Sequence, residues 1–288
     1  MADFLMQQMD LFSLVWIVLI LMFLIPVVKQ RLLEASRSRL LRRIESKRGA
    51  RVITMIHRQE GLSFLGLPFA RYMTLEDSEQ VLRAIRLTPD DAPIDIILHT
   101  PGGLVLAATQ IANAIKKHPA EVRVLIPHYA MSGGTLISLA ADRIIMDENA
   151  VLGPVDPQLG SMMKMYPAAS LLSAVERKGE KKVDDETLIL ADQARKAMKQ
   201  LHSLVCSLLE GKMRKQDIDN ICSSLTEGKW THDYPLKVED LRRLNLNVET
   251  GLPGEIYQLM NLYPQPMRVS PTVEFIHEPY RKHPPKAT

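Results

Sequence analysis

A single serine lies within the second of two glycine-rich turns that share one design. The first turn is HTPGG, His99–Gly103, and the second is AMSGG, Ala130–Gly134. Each follows an apolar run, Ile94–Leu98 and Val122–Pro127, and each precedes a helix-like stretch. Acyl transfer needs a nucleophilic hydroxyl and free backbone N–H groups that can hold an oxyanion. Ser132 and the glycines around it are therefore candidates for that chemistry.

The second turn approximates the small-x-Ser-x-Gly pattern of a nucleophile elbow, with Ala130 in place of the first glycine. The N–H of Gly133, at the start of the following helix, would point at a carbonyl oxygen bound to Ser132. The alternative is that Ser132 only caps the helix N-terminus.

The first turn can supply a second N–H donor. Pro101 fixes one φ angle, while Gly102 and Gly103 allow backbone conformations that other residues rarely adopt. The alternatives are a plain turn and a phosphate-binding loop. The turn lacks the lysine of a phosphate-binding loop, which argues against a nucleotide site.

The N-terminal part of the chain predicts a membrane anchor. Leu11–Val28 is a run of 18 residues without a charge, about the minimum length for a transmembrane helix. A buried soluble helix is the alternative. A cleaved signal peptide fits poorly, because Asp3 and Asp10 precede the run and no Lys or Arg does.

A basic stretch follows the apolar run and predicts its orientation. Because positive charge concentrates on the cytoplasmic side, we expect a single-pass protein with its catalytic domain in the cytoplasm. The stretch could also lie on anionic lipid or pack against its copy in another subunit. It has no interleaved aromatic residues, so we expect no nucleic-acid partner. Its basic residues are Lys29, Arg31, Arg37, Arg39, Arg42, Arg43, Lys47, Arg48 and Arg51.

Strand-like and helix-like segments alternate through the rest of the chain, which predicts an α/β fold with a mainly parallel sheet. We expect a short N-terminal segment (1–10), a transmembrane helix (11–28), a basic juxtamembrane helix or linker (29–50), a catalytic domain (51–263) and a loose, Pro-rich tail (264–288). The two cysteines, Cys206 and Cys222, have no metal-ligand spacing, and we expect them to be reduced. No metal or other cofactor is expected.

Four segments resemble the Clp protease/crotonase superfamily: HTPGGLVLAATQIA, PHYAMSGGTLISLAAD, NAVLGPVDPQLG and GKWTHDYPL. Within it the chain is most similar to the SDH-type Clp-fold serine proteinases, which are related to signal peptide peptidase A. The resemblance covers about Arg51 to Leu262 and implies repeated ββα units. It also implies Ser132 as the nucleophile, and Gly102 or Gly103 together with Gly133 as oxyanion donors. An extended peptide substrate would pair beside a strand near the PGG turn.

The general base is the open question at this stage. Clp proteolytic subunits use a histidine in the loop after the serine, but here that loop reads VLGPVDPQ, with Asp156 and no histidine. Relatives of signal peptide peptidase use a lysine, so a Ser-Lys dyad is preferred over Ser-His-Asp. Such a lysine needs burial or a nearby cation to lower its pKa. Lys182 is the first candidate, and the alternatives are Lys178, Lys181, Lys196 and His232.

The sequence therefore predicts a membrane-anchored serine endopeptidase that cleaves peptides or membrane-associated proteins. We expect a homo-oligomer, because relatives complete and shield their sites by assembly. No ATP site is visible, so the enzyme would act without ATP on its own. Two other hypotheses are a crotonase-type acyl-CoA enzyme and a non-catalytic membrane scaffold of the same fold.

Overall fold

A computed structural model describes residues 11–57, 72–161 and 164–263 of the 288-residue chain. The short segment 1–10 and the Pro-rich tail 264–288 lie outside the described residues, so the expectations for both remain predictions.

The first helix, α1 (Leu11–Arg48), joins the apolar run and the basic stretch into one element of 38 residues. Among the described residues, the part of this helix from Trp16 onward is long and apolar enough to cross a membrane. Its most apolar window has a mean hydropathy of 2.0 and is not buried in the protein. Pro26 lies inside the helix, within the apolar run. The basic stretch is thus a helical continuation of the anchor.

A five-stranded parallel sheet forms the centre of the domain, in the order β1-β2-β3-β5-β9. Every residue of β2 is buried, as expected for a central parallel strand that is covered on both faces. The prediction of a mainly parallel α/β fold is confirmed. The strands are β1 (Arg51–Ile56), β2 (Ile94–His99), β3 (Val122–Ile126), β5 (Arg143–Met146) and β9 (Val248–Thr250).

Two short pairs of strands lie outside this sheet. β4 (Tyr129–Ala130) pairs in parallel with β6 (Val151–Leu152), directly before the AMSGG turn. β7 (Gln158–Ser161) and β8 (Lys164–Pro167) form an antiparallel pair. The segment VLGPVDPQLG was expected to be a structured loop, and β6 and part of β7 lie within it.

Helices cover both faces of the sheet. On one face, Ile96 and Val124 share a core with α2, α3, α4, α6, α7 and α8. On the other, Ile97 and Leu125 pack with the end of α1 and with α9. The helices are α2 (Leu75–Arg86), α3 (Val105–Lys117), α4 (Gly133–Ala140), α5 (Ala168–Lys178), α6 (Asp185–Leu209), α7 (Lys215–Thr226), α8 (Val238–Arg243) and α9 (Gly254–Asn261).

The expectation of reduced cysteines is wrong. Cys206 in α6 and Cys222 in α7 form a disulfide, with Cα atoms 5.6 Å apart. The two helices pack against each other, and this packing brings together two positions that are 16 residues apart in the sequence.

A buried carboxylate ties α1 to the sheet. Asp95, in β2, is fully buried and forms ion pairs with Arg48 of α1 and Arg123 of β3. Its distance to the Arg123 Nε is 2.6 Å. A buried ion pair adds modest net stability, but removing one partner leaves the other charge buried and uncompensated.

Replacing Asp95 by alanine is therefore expected to destabilise the fold strongly. We expect the free energy of unfolding to fall by about 3–5 kcal/mol. Chemical denaturation of the full chain in detergent measures this loss. Asp90→Ala, at an exposed position before β2, is the matched control and should change stability by less than about 0.5 kcal/mol. Equal, small changes in the two variants would contradict the role of Asp95.

Candidate active site

Ser132 occupies a strained turn between β4 and α4. Its φ is 50° and its ψ is −109°. Among the described residues, Asn245 is the only other non-glycine residue with positive φ, and asparagine tolerates that region well. Backbone strain of this kind is typical of functional sites that the surrounding structure holds in place.

The helix-cap explanation for Ser132 does not fit the structure. Ser132 stands at the N-cap of α4, but its side chain makes no capping hydrogen bond. Its carbonyl oxygen instead accepts the N–H groups of Thr135 at 2.9 Å and Leu136 at 3.2 Å. The Ser132 residue is half-buried, so its hydroxyl is left for another purpose.

The PGG turn lies directly against the serine turn. A Cβ atom on Gly102 would lie 3.0 Å from Ser132 Cβ and 3.2 Å from Gly133 N. Thr100, two residues earlier, forms an isolated parallel bridge with Ala130. The two turns that the sequence singled out therefore meet in space, as the acyl-transfer hypothesis requires.

The backbone conformation of the PGG turn depends on both glycines. Gly102 has a φ of 100° and Gly103 a φ of 153°. The Gly102 N–H donates to Thr100 Oγ1 at 3.1 Å, so this N–H is not available to a substrate. Of the two candidates in this turn, only Gly103 keeps its N–H group free of such a bond.

The N–H groups of Gly103 and Gly133 form the remaining donor pair. Neither donates to a backbone carbonyl of the described residues. A Cβ on Gly133 would lie 3.7 Å from Gly103 N, so the two amides are close neighbours. Gly133 is also the first residue of α4, where unpaired N–H groups and the helix dipole favour negative charge. Together they can hold a developing oxyanion beside Ser132.

The outer edge of the PGG turn is occupied by Met73. Its N–H donates to the Gly102 carbonyl at 2.8 Å, and its carbonyl accepts from Leu104 at 3.0 Å. A substrate must therefore approach from the other side, where the Gly103 N–H lies.

A histidine network supports the turn from below. His57 Nδ1 lies 2.9 Å from Thr100 Oγ1, the same oxygen that accepts the Gly102 N–H. His57 Nε2 lies 3.3 Å from Asp77 Oδ2. The sequence offered no signal for this network, because His57 and Thr100 are 43 residues apart in unrelated segments.

Replacing Gly103 by alanine tests the turn. The new Cβ would lie 2.4 Å from both Met73 N and Met73 O, so backbone must move in addition to the strain at φ 153°. We expect a loss of about 1–3 kcal/mol of stability, together with lower hydrolytic activity. Gly251→Ala is the matched control, since its φ is 102° with nothing within 4 Å. Thermal unfolding should show a clearly smaller loss for Gly251→Ala, and equal losses would contradict this explanation.

The candidate bases occupy two different environments. Lys178, Lys181, Lys182 and Lys196 are all exposed. Lys182 lies in a short 3-10 turn after α5, and Lys196 forms an exposed ion pair with Asp192. An exposed lysine stays protonated at neutral pH, so none of the four is prepared to act as a base within one chain.

His232, by contrast, is held by a buried carboxylate. Its Nδ1 lies 2.6 Å from Asp156 Oδ1, and Asp156 has a side chain only 3% exposed. Gln158 Nε2 donates to the second oxygen of Asp156 at 2.6 Å. The hydrogen bond to Asp156 raises the pKa of His232 above its usual 6.5, against the opposing effect of burial. The partner is thus Asp156 rather than the adjacent Asp233, a pairing that the sequence did not reveal.

Both members of this pair lie in segments that adjoin the serine turn. Asp156 comes three residues after Gly153, where a Cβ would lie 3.3 Å from Met131 Cα. His232 precedes Leu236, which bridges to Leu152. Since Met131 precedes Ser132, the pair belongs to the neighbourhood of the candidate nucleophile.

Comparison with known proteins supports the serine-proteinase resemblance. The sequence profile of the ClpP-like SDH-type serine proteinases matches residues 2–287. Two uncharacterized proteins of Methanocaldococcus jannaschii are each 55% identical to the chain, over 93% and 96% of its length and 92% of theirs.

Among solved structures, similar chains include the 1510-N membrane-bound stomatin-specific protease, at 21% identity and a TM-score of 0.46, over 66% of this chain and 79% of that one. ClpP1 from Listeria monocytogenes has 17% identity and a TM-score of 0.46, over 74% of this chain and 98% of its own. The profile match covers nearly the whole sequence, and the chain belongs to the family of ClpP-like SDH-type serine proteinases.

Proposed function

We propose that this protein is a serine peptidase that hydrolyses peptide bonds through an acyl-enzyme on Ser132. One observation carries the proposal: a serine with φ 50° and an uncommitted side chain lies beside two N–H donors from separate turns. A non-catalytic scaffold would have no use for this strain. Crotonase-type acyl-CoA chemistry needs no serine at this position.

In the proposed reaction, Ser132 Oγ attacks the carbonyl carbon of the scissile peptide and its proton passes to the base. The negative oxygen of the tetrahedral intermediate accepts hydrogen bonds from the N–H groups of Gly103 and Gly133. Collapse of the intermediate breaks the C–N bond, and the leaving amine takes the proton from the base. Water, deprotonated by the same base, then hydrolyses the acyl ester and restores the serine.

His232 is the base that the contacts of a single chain favour. With Nδ1 donating to Asp156, the neutral ring keeps Nε2 as the acceptor, which is the tautomer a general base needs. Lys182 is the alternative if a neighbouring subunit covers it, because burial is what lowers the pKa of a lysine. The first prediction, a Ser-Lys dyad on Lys182, thus depends on assembly, whereas the His232–Asp156 pair does not.

We further propose that the enzyme is anchored by residues 11–28, with its catalytic domain in the cytoplasm. The uncharged run and the basic residues that follow it support this orientation. Assembly into a homo-oligomer and action without ATP are part of the same proposal, and so is a peptide or membrane-associated protein as substrate.

A fluorophosphonate probe tests the proposed nucleophile. The probe should label the full chain, and Ser132→Ala should abolish the labelling. Ser173→Ala, in α5, is the matched control and should label like the unsubstituted chain. Labelling that survives in Ser132→Ala, or an unreactive chain in both detergent and lipid, would contradict the proposal.

A further inference from the structure

The direction of α1 on the catalytic domain relates the active site to the membrane. The helix ends at Arg48, and Gly49 follows with a φ of 58°. β1 then begins at Arg51. So short a connection reverses the chain, which means that α1 and β1 run antiparallel.

Contacts along α1 support this reversal. Near its end, Glu45 Oε1 accepts the N–H of Val52, at the start of β1, at 3.1 Å. Three turns earlier, the Arg37 guanidinium lies 4.2 Å from the ring centroid of Tyr263, and the Tyr263 hydroxyl lies 3.1 Å from Thr54 Oγ1. Going back along α1 towards the apolar run therefore leads towards the carboxyl ends of the strands.

The helix is fixed in this direction by polar contacts as well as by packing. Arg37 Nε donates to the Leu262 carbonyl at 2.8 Å, and Lys47 pairs with Glu255 of α9. Ile44 is 2% exposed within the cluster formed with Ile97 and Leu125. Since Pro26 lies on the far side of Val28, a proline kink would bend the helix inside the apolar run and not at the domain.

Both turns of the active site lie at this same carboxyl edge. The PGG turn follows β2, and the Ser132 turn follows β3 and β4. α1 packs on one face of the sheet and α4 on the other, but the edge from which α1 emerges is shared. We infer that the active site faces the bilayer and that its substrates are polypeptide segments adjoining the membrane-embedded parts of other proteins. This inference rests on the anchored serine peptidase proposed above.

The distance from the site to the bilayer is short. Nine residues separate Arg37, level with the end of β1, from Val28, the end of the apolar run, which is about 14 Å of helix. An extended substrate covers that height with about five residues at ~3.3 Å each. The scissile bond should therefore lie from about five residues upward from the end of a transmembrane segment.

The rim of the site has the composition expected for such a segment. Leu104, Val105 and Leu106, directly after the PGG turn, are 53%, 52% and 59% exposed. Tyr72, beside the Met73 bridge, is 56% exposed. Apolar and tyrosine side chains on a surface near a bilayer suit the membrane interface and the weakly polar sequences that adjoin it.

Fluorescence energy transfer in lipid nanodiscs tests the orientation without any catalysis. A donor is placed on Leu104→Cys, at the carboxyl edge, or on Asp90→Cys, before β2 at the opposite edge, with an acceptor carried by the lipid headgroups. The native cysteines are paired, and labelling of the unsubstituted chain gives the background. Because six strand residues span about 20 Å, transfer from position 104 should be much more efficient. Equal transfer, or greater transfer from position 90, would overturn the inference.

A tethered substrate series tests the substrate class. One cleavable sequence is attached to a transmembrane helix through linkers of two to forty residues and reconstituted with the full enzyme. The same sequence as a free peptide is the control. We expect free peptide to be hydrolysed, and tethered peptide to be hydrolysed at least tenfold faster once the linker exceeds about five residues. Equal rates would sink the inference but leave the peptidase intact, whereas failure on both substrates would sink the proposed function.

Discussion

Replacing Ser132 by alanine is expected to lower kcat/KM for peptide hydrolysis by about 10⁴–10⁶-fold, because removing a nucleophile removes the covalent route altogether. The fold should be unaffected, since the Ser132 side chain makes no capping hydrogen bond. Alanine at φ 50° carries about the same backbone strain as serine. The loss should therefore appear in kcat with unchanged thermal unfolding.

The matched control is Ser173→Ala, a substitution of the same chemical type at a half-buried position in α5. It should leave both kcat/KM and the unfolding temperature close to those of the unsubstituted chain. A Ser132→Ala variant with more than about a tenth of the original activity would remove the acyl-enzyme from the account, since a lost nucleophile costs far more.

Replacing His232 by alanine is expected to lower kcat/KM by about 10²–10⁴-fold, the usual contribution of a general base. The pH dependence gives the decisive readout. A base must be unprotonated, and Asp156 raises the pKa of His232 above 6.5. In the unsubstituted enzyme kcat/KM should therefore rise with pH through a limb centred above 6.5, and this limb should disappear in His232→Ala.

Asp156→Asn separates orientation from charge. The asparagine no longer stabilises the protonated ring, so the acid limb should move to lower pH. The rate should also fall by about 10²-fold or more, because the ring loses the partner that fixes its tautomer. His118→Ala, remote from the site and hydrogen-bonded to the Ala92 carbonyl, is the control and should change neither the rate nor the limb.

The lysines give the competing outcome. If Lys182→Ala lowers kcat/KM by a similar factor while His232→Ala does not, a lysine buried by a neighbouring subunit is the base. Lys178→Ala, Lys181→Ala and Lys196→Ala complete that comparison.

The fold was predictable because its signals are local. β2 is a run of buried apolar residues between turns, and Thr74 caps α2 by accepting the Asp77 N–H at 3.3 Å, as its sequence position suggests. The PGG and SGG turns were readable for the same reason, since glycine at a constrained bend is a one-residue signal.

Other parts of the site depend on contacts between distant segments. Asp156 and His232 are 76 residues apart, and neither position alone indicates the other. The commitment of the Gly102 N–H to Thr100 needs the local geometry of the bend, which residue types do not specify. The disulfide between Cys206 and Cys222 requires the packing of two helices, and the spacing of the cysteines gave no reason to expect it.

Trapping the acyl-enzyme tests the central claim most directly. A slowly deacylating ester substrate is mixed with the full chain, quenched in acid and analysed by mass spectrometry after digestion. We predict an added acyl mass on the peptide that contains Ser132, and its absence from Ser132→Ala. Turnover of the ester without any acylated serine, or acylation at another residue, would contradict the account.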